Sequence, residues 1–324
     1  MKKGLHSLLH KCLCVLVIIL TLNFPSYSQL SAGNYFEGGF TVGPMVFMGD
    51  LGGHFGRGTS FIKDYNMKAT KLSFGAYLAA HPSELLGFRL AINWGQLEGA
   101  DAYIDPKGGE EIARYNRNLD FKSNITEAYF AAEVYPTVLF EDQPTDVTGR
   151  LRPYGVIGVG VFHFNPQGSY VDPNTGQTSW VYLQPLHTEG QGFPEYPNRK
   201  EYSLTQLNIP MGVGIKYYFS DKLNLSVELL YRKTFTDYID DVSTTYIDPS
   251  LFYKYLPAGQ AQIADQIYNK SPLRNTDPAN YGPGAKRGDP SQTDAYFTFG
   301  FKLGFRLGTD REWDNSTRCP LLRF

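Results

Sequence analysis

The stretch DAYFTFGFKLGFRLG, residues 294–308, decides the fold. All its odd-numbered positions are apolar, from Ala295 to Leu307, while the even-numbered positions include Lys302 and Arg306 among glycines and polar residues. Successive side chains of a β-strand point to opposite faces. The stretch therefore predicts a strand with one wholly apolar face and one charged face.

The same two-residue alternation recurs seven more times along the chain. The segments are residues 35–48, 72–78, 86–95, 121–136, 151–164, 206–216 and 223–234. Together with residues 294–308 they make eight strands. Most reach the roughly 9–11 residues that a tilted strand needs to cross a bilayer.

Long and short connections alternate between these strands. The connections at residues 81–84 and 220–222 are tight and that at 137–150 is moderate, whereas 49–70, 99–120, 165–202 and 237–292 are long. A soluble β-sandwich has no reason to collect its long loops at one end, but an outer-membrane barrel has long external loops and short periplasmic turns. We therefore predict an all-β, eight-stranded, antiparallel up-and-down transmembrane barrel with long extracellular loops.

The first 28 residues read as a Sec-type signal peptide. Lys2, Lys3 and Lys11 are positive, residues 13–20 are apolar, and Ser26-Tyr27-Ser28 forms a small-residue cleavage site. The apolar core is shorter than the roughly 20 residues of a helical span. The predicted organisation is a signal peptide (1–28), a barrel in the outer membrane (29–308) and a periplasmic tail (309–324).

Composition excludes several other classes of protein. Hydrophobic residues make up 42% of the chain, yet the mean hydropathy is −0.31, which excludes a bundle of helical spans. A net charge of −2 gives no basic excess for nucleic-acid binding. Three cysteines, two of them in the signal peptide, exclude a disulfide-stapled scaffold.

The polar faces of the predicted strands carry fixed charges of both signs. An eight-stranded barrel has an interior just wide enough for side chains, so these charges are expected to converge and pair there. The predicted lumen charge network consists of Glu37, Arg89, Glu127, Glu133, Lys216, Glu228, Arg232, Lys302 and Arg306.

The sequence offers little for catalysis and no cofactor motif. Beyond the signal peptide the histidines are His54, His81, His163 and His187, which fall on separate loops, turns and strand ends with no evident Ser/Asp partners. We therefore expect no enzymatic activity, with an outer-membrane hydrolase as the alternative that these histidines leave.

An acidic cluster follows the seventh predicted strand. Asp237, Asp240, Asp241 and Asp248 supply the oxygen ligands that calcium favours, but their spacing matches no EF-hand loop and the turning glycine is missing. We predict no metal site and interpret the cluster as a solvated loop base. Further along the same loop, residues 258–270 predict a short helix.

Several longer motifs resemble a known family. They are Met48-Gly49-Asp50-Leu51, the run from Arg117 to Glu127 (RNLDFKSNITE), Arg152-Pro153-Tyr154, residues 183–192 (LQPLHTEGQG) and residues 231–243 (YRKTFTDYIDDVS). The chain resembles the DUF6089-type outer-membrane β-barrel family, which includes the PorG subunit of the type IX secretion machinery.

The resemblance implies a barrel of this architecture that contacts outer-membrane lipid and periplasmic or envelope protein partners of a secretion assembly. It implies no catalytic residues. The expected function is therefore a structural or interaction component, PorG-like in type IX protein secretion. The alternative from a different class is a small porin-like transport or channel barrel, which needs a lumen free of the charge network.

Overall fold

The computed structural model describes residues 35–51, 67–106, 108–109, 111–140, 150–220, 222–274 and 276–307. The predicted signal peptide and the predicted tail lie outside these ranges, as does His54. No helix within them is long and apolar enough to cross a membrane.

The described ranges contain ten strands, numbered here in chain order. Eight form the barrel: β1 (Tyr35–Met48), β2 (Lys71–His81), β3 (Leu86–Ala100), β4 (Asp120–Val134), β5 (Leu151–His163), β8 (Thr205–Tyr218), β9 (Leu223–Thr234) and β10 (Ala295–Leu307). The other two, β6 (Pro166–Val171) and β7 (Thr178–Tyr182), form a hairpin beyond the barrel. All eight predicted strands are confirmed, and the hairpin was not predicted.

The sheet closes on itself. Barrel strands that follow one another along the chain pair antiparallel, and β1 closes the ring against β10, from Phe36 opposite Leu307 to Met48 opposite Ala295. The β6–β7 hairpin attaches to β4, where Lys122 lies opposite Gln167. The predicted up-and-down antiparallel barrel is confirmed.

The outward face of the barrel is an apolar band. Phe40, Val159 and Leu207 are each about 65% exposed, as the outward phase of the alternation requires. A soluble monomer does not expose a continuous apolar surface of this size, so the band needs lipid around it. Towards the long loops the outward face turns polar, and Gln96 Nε2 donates to Asn124 Oδ1 at 3.0 Å.

The described residues of the second, third and fourth long loops fold into a structured cap on one end of the barrel. We define the cap as residues 101–119, 164–204 and 235–294. Its α-helices are α1 (Glu111–Arg117), α2 (Ser250–Tyr255) and α3 (Ala258–Ile267), and α3 confirms the helix predicted in residues 258–270. The 3-10 turns in the described part of the chain are Met67–Ala69, Asp101–Tyr103, Pro136–Phe140, Gln184–Leu186, Ser271–Arg274 and Pro278–Tyr281.

The cap and the upper lumen share one hydrophobic core. Phe121 and Phe162 on barrel strands are buried in the same cluster as Ile239, Tyr246 and Phe252 of the fourth loop, and each is no more than 1% exposed. The apolar packing therefore continues from the barrel interior into the cap. The fourth loop therefore has a defined fold and contributes to the hydrophobic core.

Candidate functional site

The barrel interior contains a buried ionic network, because the pleat turns the charged phase of β1, β3, β4, β8, β9 and β10 inward. Eight of the nine predicted residues lie there, each no more than 4% exposed. They are Glu37, Arg89, Glu127, Glu133, Lys216, Glu228, Arg232 and Lys302. Four are acidic and four are basic, so the buried charges sum to zero.

Six of these charges form a layer near the short-turn end, which we call the inner layer. Arg89 Nη1 lies 2.8 Å from Glu228 Oε2 and 3.1 Å from Glu133 Oε1. Lys302 Nζ bridges the same two glutamates at 3.4 Å each. Lys216 Nζ lies 3.2 Å from Glu37 Oε2 and 4.0 Å from Glu133 Oε2. Every acid in the layer therefore has a cation beside it.

A tyrosine hydroxyl donates to each acid of this inner layer. Tyr77 donates to Glu37 at 2.7 Å, Tyr135 to Glu133 at 2.6 Å, and Tyr154 to Glu228 at 2.9 Å. These rings also fill the space between the strands and lie near the cations; Lys302 Nζ is 4.5 Å from the centre of the Tyr77 ring. The sequence pattern predicted the charges but not this aromatic shell.

The remaining pair forms an outer layer, closer to the cap. Arg232 Nη2 lies 3.2 Å from Glu127 Oε2. Asn93 and Asn208 also donate to this carboxylate, at 2.9 and 2.7 Å, and the Tyr296 hydroxyl lies 3.2 Å from it. Buried charges are tolerated when they are both paired and hydrogen bonded, and Glu127 meets both conditions.

Arg306 has the same phase on β10 as Lys302 but is not among the eight buried residues. It lies near the end of β10, is partly exposed, and its guanidinium carbon is 4.1 Å from the centre of the Tyr35 ring. Strand phase tells which side of the sheet a residue faces. It does not tell how far along the barrel axis the residue lies, and Arg306 lies at the rim.

Two arginines hold the cap together. Arg117, at the end of α1, donates to both oxygens of Asp101 at 2.8 and 2.9 Å and to the backbone carbonyls of Asp50 and Arg287 at 2.7 and 2.5 Å. It therefore joins the first, second and fourth long loops. Burial acts to lower the pKa of Arg117, but the Asp101 carboxylate outweighs it and raises that pKa above its ordinary value.

Arg287 makes the corresponding link between the third and fourth loops. Its Nη1 donates to Glu189 Oε1 at 2.9 Å and to the Asp241 carbonyl at 2.5 Å. Glu189 in turn accepts from the backbone amides of Ser243 and Thr244, both at 2.9 Å. Because both arginines are almost fully buried, these contacts fix the arrangement of the loops over the barrel.

The interpretation of the acidic cluster as a solvated loop base was wrong for two of its members. Asp240 and Asp241 are 0% exposed, and Asp241 accepts hydrogen bonds from Thr188 and Tyr202. The reason is that the fourth loop folds back over the barrel. Asp248 is exposed, as expected. Among the described residues no group of three or more His, Cys, Asp or Glu is arranged to hold a metal ion.

The described histidines lie in three different environments. His81 stacks on Tyr35, with ring centres 4.4 Å apart, at the short-turn end. His163 is exposed on the outward face and lies 3.1 Å from the Thr205 hydroxyl. His187 is in the cap, where its Nδ1 lies 2.6 Å from the Gln191 carbonyl. The structure does not bring these three together.

Comparison with family models and with curated proteins finds no match for this chain. Among solved structures, a major outer membrane protein from Thermus thermophilus aligns with a TM-score of 0.40 at 12% identity, over 85% of this chain and 100% of that one.

Two further structures align less well. Ail, the attachment invasion locus protein of Yersinia pestis, in complex with the heparin analogue sucrose octasulfate, gives a TM-score of 0.34 at 7% identity, over 84% of this chain and 99% of that one. The E. coli outer membrane protein W gives 0.30 at 14% identity, over 85% and 98%. Likenesses this low carry no information on function.

Proposed function

We propose that this protein is a non-enzymatic outer-membrane barrel with a filled lumen, acting as a structural or interaction component of the cell envelope. The observation that carries the proposal is the neutral, fully buried ionic network beneath a folded cap. Eight paired charges and their tyrosine shell occupy the space that a channel would need for water. The outward apolar band supplies the membrane contact, and the predicted signal peptide is consistent with export.

Conductance in planar bilayers tests the filled lumen. We expect the purified protein to give no steady openings, because ions cannot pass without separating Arg89 from Glu228 and Arg232 from Glu127. Steady openings of the wild-type protein would favour the porin-like alternative and refute the filled lumen.

The short-turn end carries the surface that we assign to protein partners. In the 3-10 turn Pro136–Phe140, Val138 is buried, whereas Leu139 is 67% and Phe140 is 84% exposed. Exposed aromatic side chains such as Phe140 are enriched in protein interfaces. The short turns of outer-membrane barrels face the periplasm, and this is where we expect the PorG-like role in type IX secretion to require a partner.

Secretion and cross-linking measurements test that role. Deletion of the gene is expected to reduce export of type IX cargo, and a photo-cross-linker at Phe140 is expected to capture an envelope partner. The matched control places the cross-linker at Leu273 of the cap, which is 73% exposed on the opposite side. Normal secretion in the deletion strain, or the same products from both positions, would contradict the PorG-like role.

A further inference from the structure

Four aspartates converge where the first and fourth long loops meet the barrel rim. Asp50 lies two residues beyond the end of β1, Asp237 and Asp240 follow β9, and Asp294 immediately precedes β10. They come together because β10 pairs with both β1 and β9. We call these four residues the rim cluster. Asp240 and Asp294 are 0% and 1% exposed.

The rim cluster holds the backbone of both loops. Asp240 accepts from the amides of Leu51 and Val242, each at 3.0 Å. Asp294 Oδ2 accepts from the Ile239 amide at 2.8 Å. Asp50 Oδ2 accepts from the Asp289 amide at 2.7 Å. The carboxylates therefore fasten the first loop to the fourth and the fourth to the start of β10.

Two oxygens of the cluster are buried without a hydrogen-bond partner in the described part of the chain. They are Asp294 Oδ1 and Asp237 Oδ2. Asp294 Oδ1 points at the backbone of Gly49, next to Asp50, since a Cβ added at Gly49 would overlap it. A buried carboxylate oxygen without a donor is costly, and it calls for a proton or a cation.

Among the residues that the structure describes, the charges around the cluster do not supply that cation. The positive charge of Arg117 acts to lower the pKa values of Asp50 and Asp240, but its Nε and Nη2 are already hydrogen bonded to Asp101. Arg287 is bound to Glu189. The other charged groups that face the cluster in the described ranges are acidic: Glu189, Asp289 with its partner Lys286, and Asp241 with its partner Arg287. The lumen network balances its charges, whereas the rim cluster does not.

Each carboxyl of the rim cluster consequently holds a proton more tightly than usual. Burial, together with the charges of Asp50 and nearby acids, raises the pKa of Asp237 to about 8. Burial and repulsion from neighbouring aspartates raise the pKa values of Asp240 and Asp294 well above the ordinary value. Burial also raises the pKa of Asp50, against the opposing charge of Arg117.

We propose that the rim cluster is a proton-binding site that fastens the first and fourth loops to the barrel, so that the cap loosens when the external pH rises. In the released loops each aspartate ionises near its ordinary value of 3.8, whereas the docked cluster keeps protons up to about pH 8 at Asp237. The docked state therefore binds more protons. Between pH 3.8 and about pH 8 docking is strongest at the acidic end. Its equilibrium constant falls by about tenfold per pH unit for each additional proton that the docked state holds.

Hydrogen exchange of the whole protein in lipid nanodiscs tests the proposal. The probes are the amides of Leu51, Ile239 and Val242, which donate to the cluster. After correction for the intrinsic rate, we expect their protection to fall at least about 100-fold between about pH 5 and about pH 9. Amides of β4 and β9 within the barrel should not show this loss.

Neutral isosteres separate proton binding from a merely structural role. The double variant Asp237→Asn/Asp294→Asn should retain protection at high pH and flatten the profile, because the amides need no proton. Asp172→Asn, at the exposed tip of the β6–β7 hairpin, is the matched control and should keep the wild-type profile.

Three outcomes would overturn the proposal. The first is wild-type protection that does not change with pH. The second is a double variant that loses protection at low pH and keeps the wild-type slope. The third is protection that requires added calcium and vanishes in chelator at every pH, since a metal ion would then be the ligand.

Discussion

Replacing Arg89 by methionine, which has no charge, tests whether the lumen network is held by charge pairing. The guanidinium is 0% exposed and makes three short contacts, to Glu228 at 2.8 and 3.3 Å and to Glu133 at 3.1 Å. The variant leaves four buried acids facing three buried bases. Breaking a buried pair by removing one partner costs about 3–5 kcal/mol.

The local geometry narrows that estimate. Lys302 Nζ lies 3.4 Å from both glutamates and can take over part of the pairing. We therefore expect the lower end, about 3 kcal/mol, which is a change of more than about 100-fold in the unfolding equilibrium. The assay is urea-induced unfolding in lipid vesicles followed by tryptophan fluorescence, since Trp94 is 46% exposed on the outward face.

A double-mutant cycle completes the experiment. Arg89→Met/Glu228→Gln restores balance, with three acids and three bases, and should be more stable than the sum of the single effects by about 2 kcal/mol or more. Arg306→Met is the matched control and should cost less than about 1 kcal/mol, because this arginine lies near the end of β10 and is partly exposed. Arg89→Met within about 1 kcal/mol of wild type, or additive single effects, would refute the argument.

Three further outcomes test the cap and the barrel wall. Phe252→Ala should cost about 3–5 kcal/mol of cap packing, measured as faster protease cleavage in the fourth loop while the barrel strands stay protected. Unchanged cleavage would contradict a packed cap. Arg117→Lys should lower the free energy of unfolding of the cap by about 2 kcal/mol, because lysine cannot donate to both oxygens of Asp101 in the same geometry. A wild-type melting curve would contradict the idea that Arg117 joins the loops. Gly39→Val should prevent folding, because its Cβ would overlap the neighbouring strand backbone, whereas Gly155→Ala has open space and should fold normally. Refolding yield into vesicles distinguishes the two.

The two-residue alternation along the chain was sufficient to predict the barrel and to predict that its charged side chains face the interior. The reason is that a strand buried on one face and lipid-exposed on the other must repeat every two residues, as in β10. Lys302 and Glu228 could therefore be assigned to the interior from their phase alone. Arg306 shows the limit of that reasoning, since phase does not give depth.

The sequence pattern predicted little of the structure of the cap. Its core residues Ile239, Val242, Tyr246 and Ile247 lie on irregular backbone, which has no period to detect. Only α3 had a recognisable helical composition. The pattern indicated a solvated position for Asp240 and Asp241 for the same reason, because their burial depends on contacts with the first and third loops, far away in sequence.

The lumen network also constrains how this barrel can assemble. Its charges come from β1, β3, β4, β8, β9 and β10, and Lys216 meets Glu37 across 179 residues of chain. A partly assembled sheet would leave several of these ions without partners inside the bilayer. The free-energy cost of desolvating an unpaired ion there is very high. The strands should therefore enter the bilayer together with closure of the ring, and half-inserted intermediates should be sparsely populated.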